Sequence, residues 1–137
     1  MSRGFTLYPW WRRWFGLRSE RYAARYLRRK GHRIIAANVH ERGGEIDLLT
    51  VDGECLVIVE VRSTEGTDLE RLAASITPTK QRRLTQAALA FLKRHRLLGV
   101  PARFDVVLVS HPPDAKTPTI QHITNAFEAV GRFQMFS

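Results

Sequence analysis

The chain holds a single cysteine, Cys55, among its 137 residues. An intrachain disulfide and a paired-thiolate metal signature are therefore both excluded. A reducing compartment suits such a chain, and a cytoplasmic location is expected. Long apolar runs are also missing, since no segment approaches the roughly 18 apolar residues of a membrane-spanning helix. Acids are scarce relative to bases: 13 Asp and Glu face 22 Lys and Arg, mostly arginine, for a formal net charge of +9. This imbalance points to a polyanion or an anionic surface as partner, beside the plainer reading of charge kept for solubility. Collagen-like and low-complexity biases are absent, and a hydrophobic share of 44% is ordinary for a folded domain. Neither a G-x-x-x-x-G-K-[ST] phosphate loop nor a G-x-S-x-G nucleophile elbow occurs.

The N-terminal stretch MSRGFTLYPWWRRWFGLR carries Trp10, Trp11 and Trp14 among arginines but no apolar core of a secretory signal. Residues 1–16 are expected to form an extension, and residues 17–137 a single domain too small to divide further. From Ser19 to Lys30, SERYAARYLRRK predicts a helix stopped by Gly31, with Ala23, Ala24 and Leu27 on the apolar stripe and Glu20 on the same inward side. HRIIAANVH then predicts a strand, and GGEIDLLTV and ECLVIVEVR a hairpin turning at Asp52-Gly53. Gly43-Gly44 is read as a turn into the strand. TEGTDLERLAASITP shows no steady period and is expected to be an irregular connection able to gate a site. A second helix is expected from Thr79 to about Arg96, followed by strands at ARFDVVLVS and TIQHI and a short terminal helix or turn at NAFEA. The expected class is α/β, a mixed central sheet flanked by helices in the order α-β-β-β-α-β-β-α.

Charge inside the hairpin is the informative feature. Alternation sends Glu45, Asp47 and Leu49 to one face of the first strand, and Ile58, Glu60 and Arg62 to one face of the second. Pairing through the Asp-Gly turn then brings Asp47 and Glu60 together. Two clustered, partly buried carboxylates repel unless a cation offsets them, and hard oxygen donors suit Mg²⁺ or Mn²⁺. Such an ion activates water and neutralises charge developing on a phosphate. The competing reading is a set of cross-strand ion pairs with Arg42 and Arg62. Two features favour a site over it: Glu60 interrupts the apolar run VIVEV, and Glu20 faces inward. The five histidines have no metal-ligand spacing and are assigned no catalytic role.

These residues carry a resemblance. Glu20 with AARYL, then GGEIDLL, VIVEVR, TPTKQRRLTQAALAFL, RFDVV and HITNAF resemble the YraN family over nearly the whole chain, from about Leu17 to Phe127. The resemblance implies a restriction-endonuclease-like fold and a PD-(D/E)xK-type site at Asp47, Glu60 and Arg62, with Glu20 as a further acid. It is also similar to the archaeal Holliday-junction resolvases, which place a glutamate on the first helix. What it implies is a metal-dependent DNA endonuclease or DNA-processing enzyme, acting on branched DNA in one version. The alternative is a noncatalytic nucleic-acid-binding module of the same fold.

One departure from the pattern is plain: Arg62 stands at the lysine position. Arginine holds its proton, so it serves as a phosphate clamp rather than a general base. Lys80 on the second helix is a substitute for the missing lysine or an exposed solubilising charge. Glu45 assists the metal or contacts Arg42, and Gln81 orients water or a phosphate or is simply solvated. A homodimer is a further expectation, because two sites would address two strands.

Overall fold

A computed structural model describes residues 18–129. The extension expected over residues 1–16 lies outside them. Helix α1 spans Arg18–Arg29, strands β1, β2 and β3 span Arg33–Glu41, Gly44–Asp52 and Cys55–Thr64, and helices α2 and α3 span Leu69–Ala74 and Pro78–Arg94. Strands β4 and β5, Ala102–Ser110 and Thr119–Phe127, complete the chain order.

Each end of α1 follows from local chemistry. Glu20 in its first turn and Arg28 and Arg29 in its last complement the helix dipole. At the C-terminus Gly31 takes φ +101. The amides of Gly31 and His32 then return to the carbonyls of Arg28 and Leu27, each at 3.0 Å. This stop fixes His32 at the entrance to β1. Helix α3 starts at Thr77, whose hydroxyl accepts from the Lys80 amide at 3.2 Å, with Pro78 in the first turn.

The five strands form one sheet in the order β1-β2-β3-β4-β5. Only β3 and β4 run parallel, and the crossover between them carries α2 and α3. Helix α1 covers one face: Ala23, Ala24 and Leu27 pack on Leu48, Val57, Val59, Val107 and Val109. Helix α3 covers the other, setting Leu84, Ala88, Phe91 and Leu92 on Ile46, Leu49, Leu56 and Ile58. The result is the expected mixed sheet between helices, a three-layer arrangement of the restriction-endonuclease-like kind.

Three local expectations are corrected. The segment expected to be irregular contains α2, capped by Asp68, whose carboxylate accepts from the Arg71 amide at 3.0 Å. Leu69, Leu72 and Ala73 of that helix pack toward Val106 and Leu108, so six residues hold by tertiary contact what periodicity could not reveal. At the other end, NAFEA is not a terminal helix. Residues 125–127 extend β5, and Asn125 adopts φ +53 beside a register shift opposite Phe104 and Val106.

Alternation along β2 is also broken. Ile46 and Leu49 both enter the core beneath α3, whereas Leu48 enters the one beneath α1. Ile46 and Leu48 therefore do not share the face that strict alternation gives them. The ladder with β3 runs from Asp52↔Cys55 to Leu48↔Val59 and no further, so β2 leaves β3 at Asp47.

A glycine keeps this splayed end close to α3. Gly43 takes φ +95 in the β1–β2 turn, and a Cβ there would lie 2.8 Å from the Gln86 Cβ. The turn can sit directly against the helix that carries Lys80.

Candidate active site

Where the two strands part, the Asp47 side chain takes over from the main chain. Its Oδ2 accepts the Val61 amide at 2.9 Å. By the register of the ladder, Val61 is the residue that would otherwise lie opposite Ile46. The carboxylate thus satisfies a donor that strand separation would leave exposed, and it is held in the gap between strands.

Glu60 lies on β3 in the same row as Leu56 and Ile58, facing α3, and is 4% exposed. It interacts directly with Asp47. Burial, followed by the negative charge of Asp47, pushes the Glu60 carboxyl up to about 7. Burial also raises Asp47, against the stabilising Val61 hydrogen bond. Two cations partly relieve the pair. Lys80 Nζ is 3.4 Å and Arg62 Nη1 is 3.7 Å from Glu60 Oε2.

Helix α2 and the start of α3 set these cations. Arg62 Nε donates to Ser75 Oγ at 3.2 Å, at the C-terminal cap of α2. Lys80 sits in the first turn of α3, two residues beyond Pro78. Glu60 therefore meets an arginine from its own strand and a lysine from the helix. Lys80, half-exposed, thus reaches the Glu60 carboxylate from the second helix.

The remaining sequence candidates divide. Glu45 is exposed, and its charge raises Asp47, but its partner is His40, at 3.4 Å, rather than Arg42. Gln81 Nε2 donates to the Ile76 carbonyl at 3.2 Å, which commits that side chain to the α2–α3 connection. Glu20 is buried on α1, as its inward placement predicts, in the layer on the other face of the sheet. A cleft of about 470 Å³ lies nearby, lined by Arg18, Ser19, Tyr22, Ser63, Thr64 and His111. Its lining includes the chain neighbours of Glu20 and Arg62 but neither of those two residues. Arg21 and Arg25 on α1, and Arg82 and Arg83 on α3, are exposed.

The donor set can be tested against the implied ion. Two adjacent carboxylates, Glu60 buried and raised by Asp47, and Asp47 partly buried, form the hard oxygen environment that Mg²⁺ or Mn²⁺ prefers. The residues fit such an ion, which Asp47 and Glu60 would hold.

A second polar group escaped the spacing argument. His32, Asp105 and His122 come from the β1 entrance, β4 and β5, and their ligand atoms lie within 4.8 Å of one another. The available signal was Asp105 itself, an acid inside the apolar run RFDVV just as Glu60 lies inside VIVEV.

A mixed sheet that opens at an interacting carboxylate pair, with an arginine and a lysine beside its buried glutamate, defines a restriction-endonuclease-like protein with a candidate metal centre. The chain belongs to the YraN family, described as "Uncharacterised protein family UPF0102", whose model matches residues 19–109. A UPF0102 protein of Geobacter sulfurreducens is 51% identical over 116 residues, covering 82% of this chain and 88% of the relative. One from Rhodopirellula baltica is 44% identical over 119 residues, covering 85% of this chain and 71% of its own. Another from Marinobacter nauticus is 45% identical, covering 83% and 92%. No described helix is long and apolar enough to cross a membrane.

Proposed function

We infer that this protein is a metal-dependent DNA endonuclease or DNA-processing phosphodiesterase. The observation that carries the reading is the Asp47–Glu60 pair: two interacting carboxylates, Glu60 buried and Asp47 partly buried, with Lys80 and Arg62 at 3.4 and 3.7 Å from Glu60. A folding core gains nothing from two acids placed so that one opposes the ionisation of the other. A phosphodiesterase site does gain from them.

Asp47 and Glu60 hold Mg²⁺ or Mn²⁺, which when bound activates water and offsets charge developing on the phosphate. Arg62, held by Ser75, clamps a phosphate oxygen and cannot act as a base. Lys80 supplies the second cation and, with Arg62, draws the DNA backbone to the acids. Glu20 orients groups on the α1 side, next to the cleft. Exposed arginines on α1 and α3 extend the contact with the backbone, in keeping with a net charge of +9. Branched DNA is the substrate favoured by the resemblance to junction resolvases, and a homodimer would present one site to each strand.

The test is cleavage of linear, flapped, branched and single-stranded DNA with Mg²⁺ or Mn²⁺, comparing the wild type with Asp47→Asn and Glu60→Gln. The wild type should cut and both variants should lose at least about 100-fold. Activity surviving both substitutions overturns the assignment. Tight binding with no cleavage by any form selects the noncatalytic module instead.

A further inference from the structure

Beneath the C-terminal half of α1, at the hairpin end of the sheet, lies the polar group formed by His32, Asp105 and His122. Their side chains are 3%, 0% and 6% exposed. Their placement is not accidental to the fold. The Gly31 stop delivers His32, and the β5 bulge at Asn125 turns its amide onto Asp105 Oδ1 at 2.9 Å. Tyr26 of α1 packs edge-on against His122, with ring centroids 6.0 Å apart.

We propose that His32, Asp105 and His122 form a second metal site, separate from the Asp47–Glu60 pair, that takes a divalent transition-metal ion of the Zn²⁺ class. Two imidazoles and a carboxylate are the mixed nitrogen and oxygen donors such ions select, whereas Mg²⁺ prefers oxygen alone.

The outer contacts are those of a ligand set. His32 Nδ1 is bonded to Thr50 Oγ1 at 2.8 Å, which fixes the ring and leaves Nε2 toward the cluster. Asp105 Oδ1 is held by Arg103 Nε and the Asn125 amide, each at 2.9 Å, which directs Oδ2 inward. Oδ2 is 2.7 Å from His122 Nε2. Ligand atoms on a tetrahedral zinc stand roughly 3.3 Å apart. Binding therefore opens the Asp105–His122 contact by a fraction of an ångström and draws His32 inward.

Asp52 stands beside the three ligands, at His32. Its Oδ2 lies 3.7 Å from His32 Nε2, and its side chain is 42% exposed, so it also marks the route from solvent. Arg103 lies 3.0 Å from Asp52 Oδ2 and 3.2 Å from Asp105 Oδ2, so it neutralises charge at the edge of the group.

The centre carries no role in phosphate chemistry. It ties the start of β1, the end of β2, β4 and β5 together under α1, and so acts as a structural clasp.

Full-length protein stripped with a chelator is titrated with Zn²⁺ by calorimetry and with Co²⁺ by visible absorption. One ion per chain should bind, Co²⁺ should develop the intense bands of a low-coordinate site, and Zn²⁺ should raise the melting temperature. Asp47→Asn/Glu60→Gln should bind Zn²⁺ unchanged, which separates this site from the nuclease reading. His122→Ala should abolish binding. Because that change could also unsettle the fold, Thr50→Ala serves as a milder variant, expected to weaken Zn²⁺ by roughly 10- to 100-fold while leaving the circular dichroism spectrum intact. Absence of Zn²⁺ binding by the wild type, or binding indifferent to both His122→Ala and Thr50→Ala, overturns the proposal.

Discussion

Lys80 Nζ stands 3.4 Å from Glu60 Oε2, so the first turn of α3 supplies the cation that the strand position held by Arg62 does not supply as lysine. In Lys80→Ala the Glu60 carboxyl loses its strongest charge relief, and its titration, followed by carboxyl-resolved NMR, should move to higher pH. DNA binding should also weaken, with the salt-dependence slope falling by about one. Lys80→Arg should restore the slope.

Glu60→Gln removes the charge that burial and Asp47 oppose. The metal-free variant should therefore be more stable than wild type at pH 8, by on the order of 2 kcal/mol, in urea denaturation. A variant equally or less stable would show that Glu60 is stabilised in place rather than strained. Loss of cleavage joined to a gain in stability is the signature of a functional acid.

The same raised carboxyl sets a pH dependence. Between its ordinary value of 4.5 and about 7, Glu60 keeps a proton in the folded chain that the unfolded chain releases. Stability of the metal-free protein should thus fall as pH rises through that window, and be highest toward its acidic end. Millimolar Mg²⁺ at pH 8 should recover part of the loss, which chemical denaturation at pH 5.5 and pH 8 measures directly.

Asp105 behaves in the opposite sense. Burial alone would raise it, but hydrogen bonds from His122, Arg103 and the Asn125 amide hold it down at about 2. Its contribution is therefore complete above the ordinary carboxylate value and is lost as pH falls through about 2. Asp105→Asn should cost about 3 kcal/mol at neutral pH, because Arg103 then keeps a buried face without its main partner. Thermal unfolding monitored by calorimetry gives the comparison.

Gly43→Ala tests how the splayed strand end is held against α3. The added methyl meets Gln86 Cβ at 2.8 Å in a backbone with φ +95. A loss of about 1–3 kcal/mol is expected. Cleavage should fall more than stability alone explains, since α3 carries Lys80.

Much of this was readable before any geometry. Helix α1, the hairpin and α3 announce themselves through caps, periodicity and an Asp-Gly turn, which are local properties. Asp47 and Glu60 were legible because a charge inside an apolar run has few other uses. Helix α2 was not, since six residues are too short to display a period. The conformation of Asn125 is dictated by Asp105, a partner on another strand, so no reading of NAFEA alone reaches it. For Glu45, open between the metal and Arg42 in the sequence, register puts His40 directly opposite, while Arg42 lies in the turn. His32, Asp105 and His122 are united only by the sheet.

The Asp47 side chain, by accepting the Val61 amide where β2 leaves β3, gives selection two reasons to keep it. Folding alone protects that aspartate in any descendant, active or not. Glu60 has no such protection, since its ionised form opposes the fold that contains it. A lineage that abandoned chemistry would be expected to shed Glu60 early and Asp47 late. The glutamate inside VIVEV, more than the aspartate beside it, is therefore the residue whose loss or persistence would tell a binding module from an enzyme.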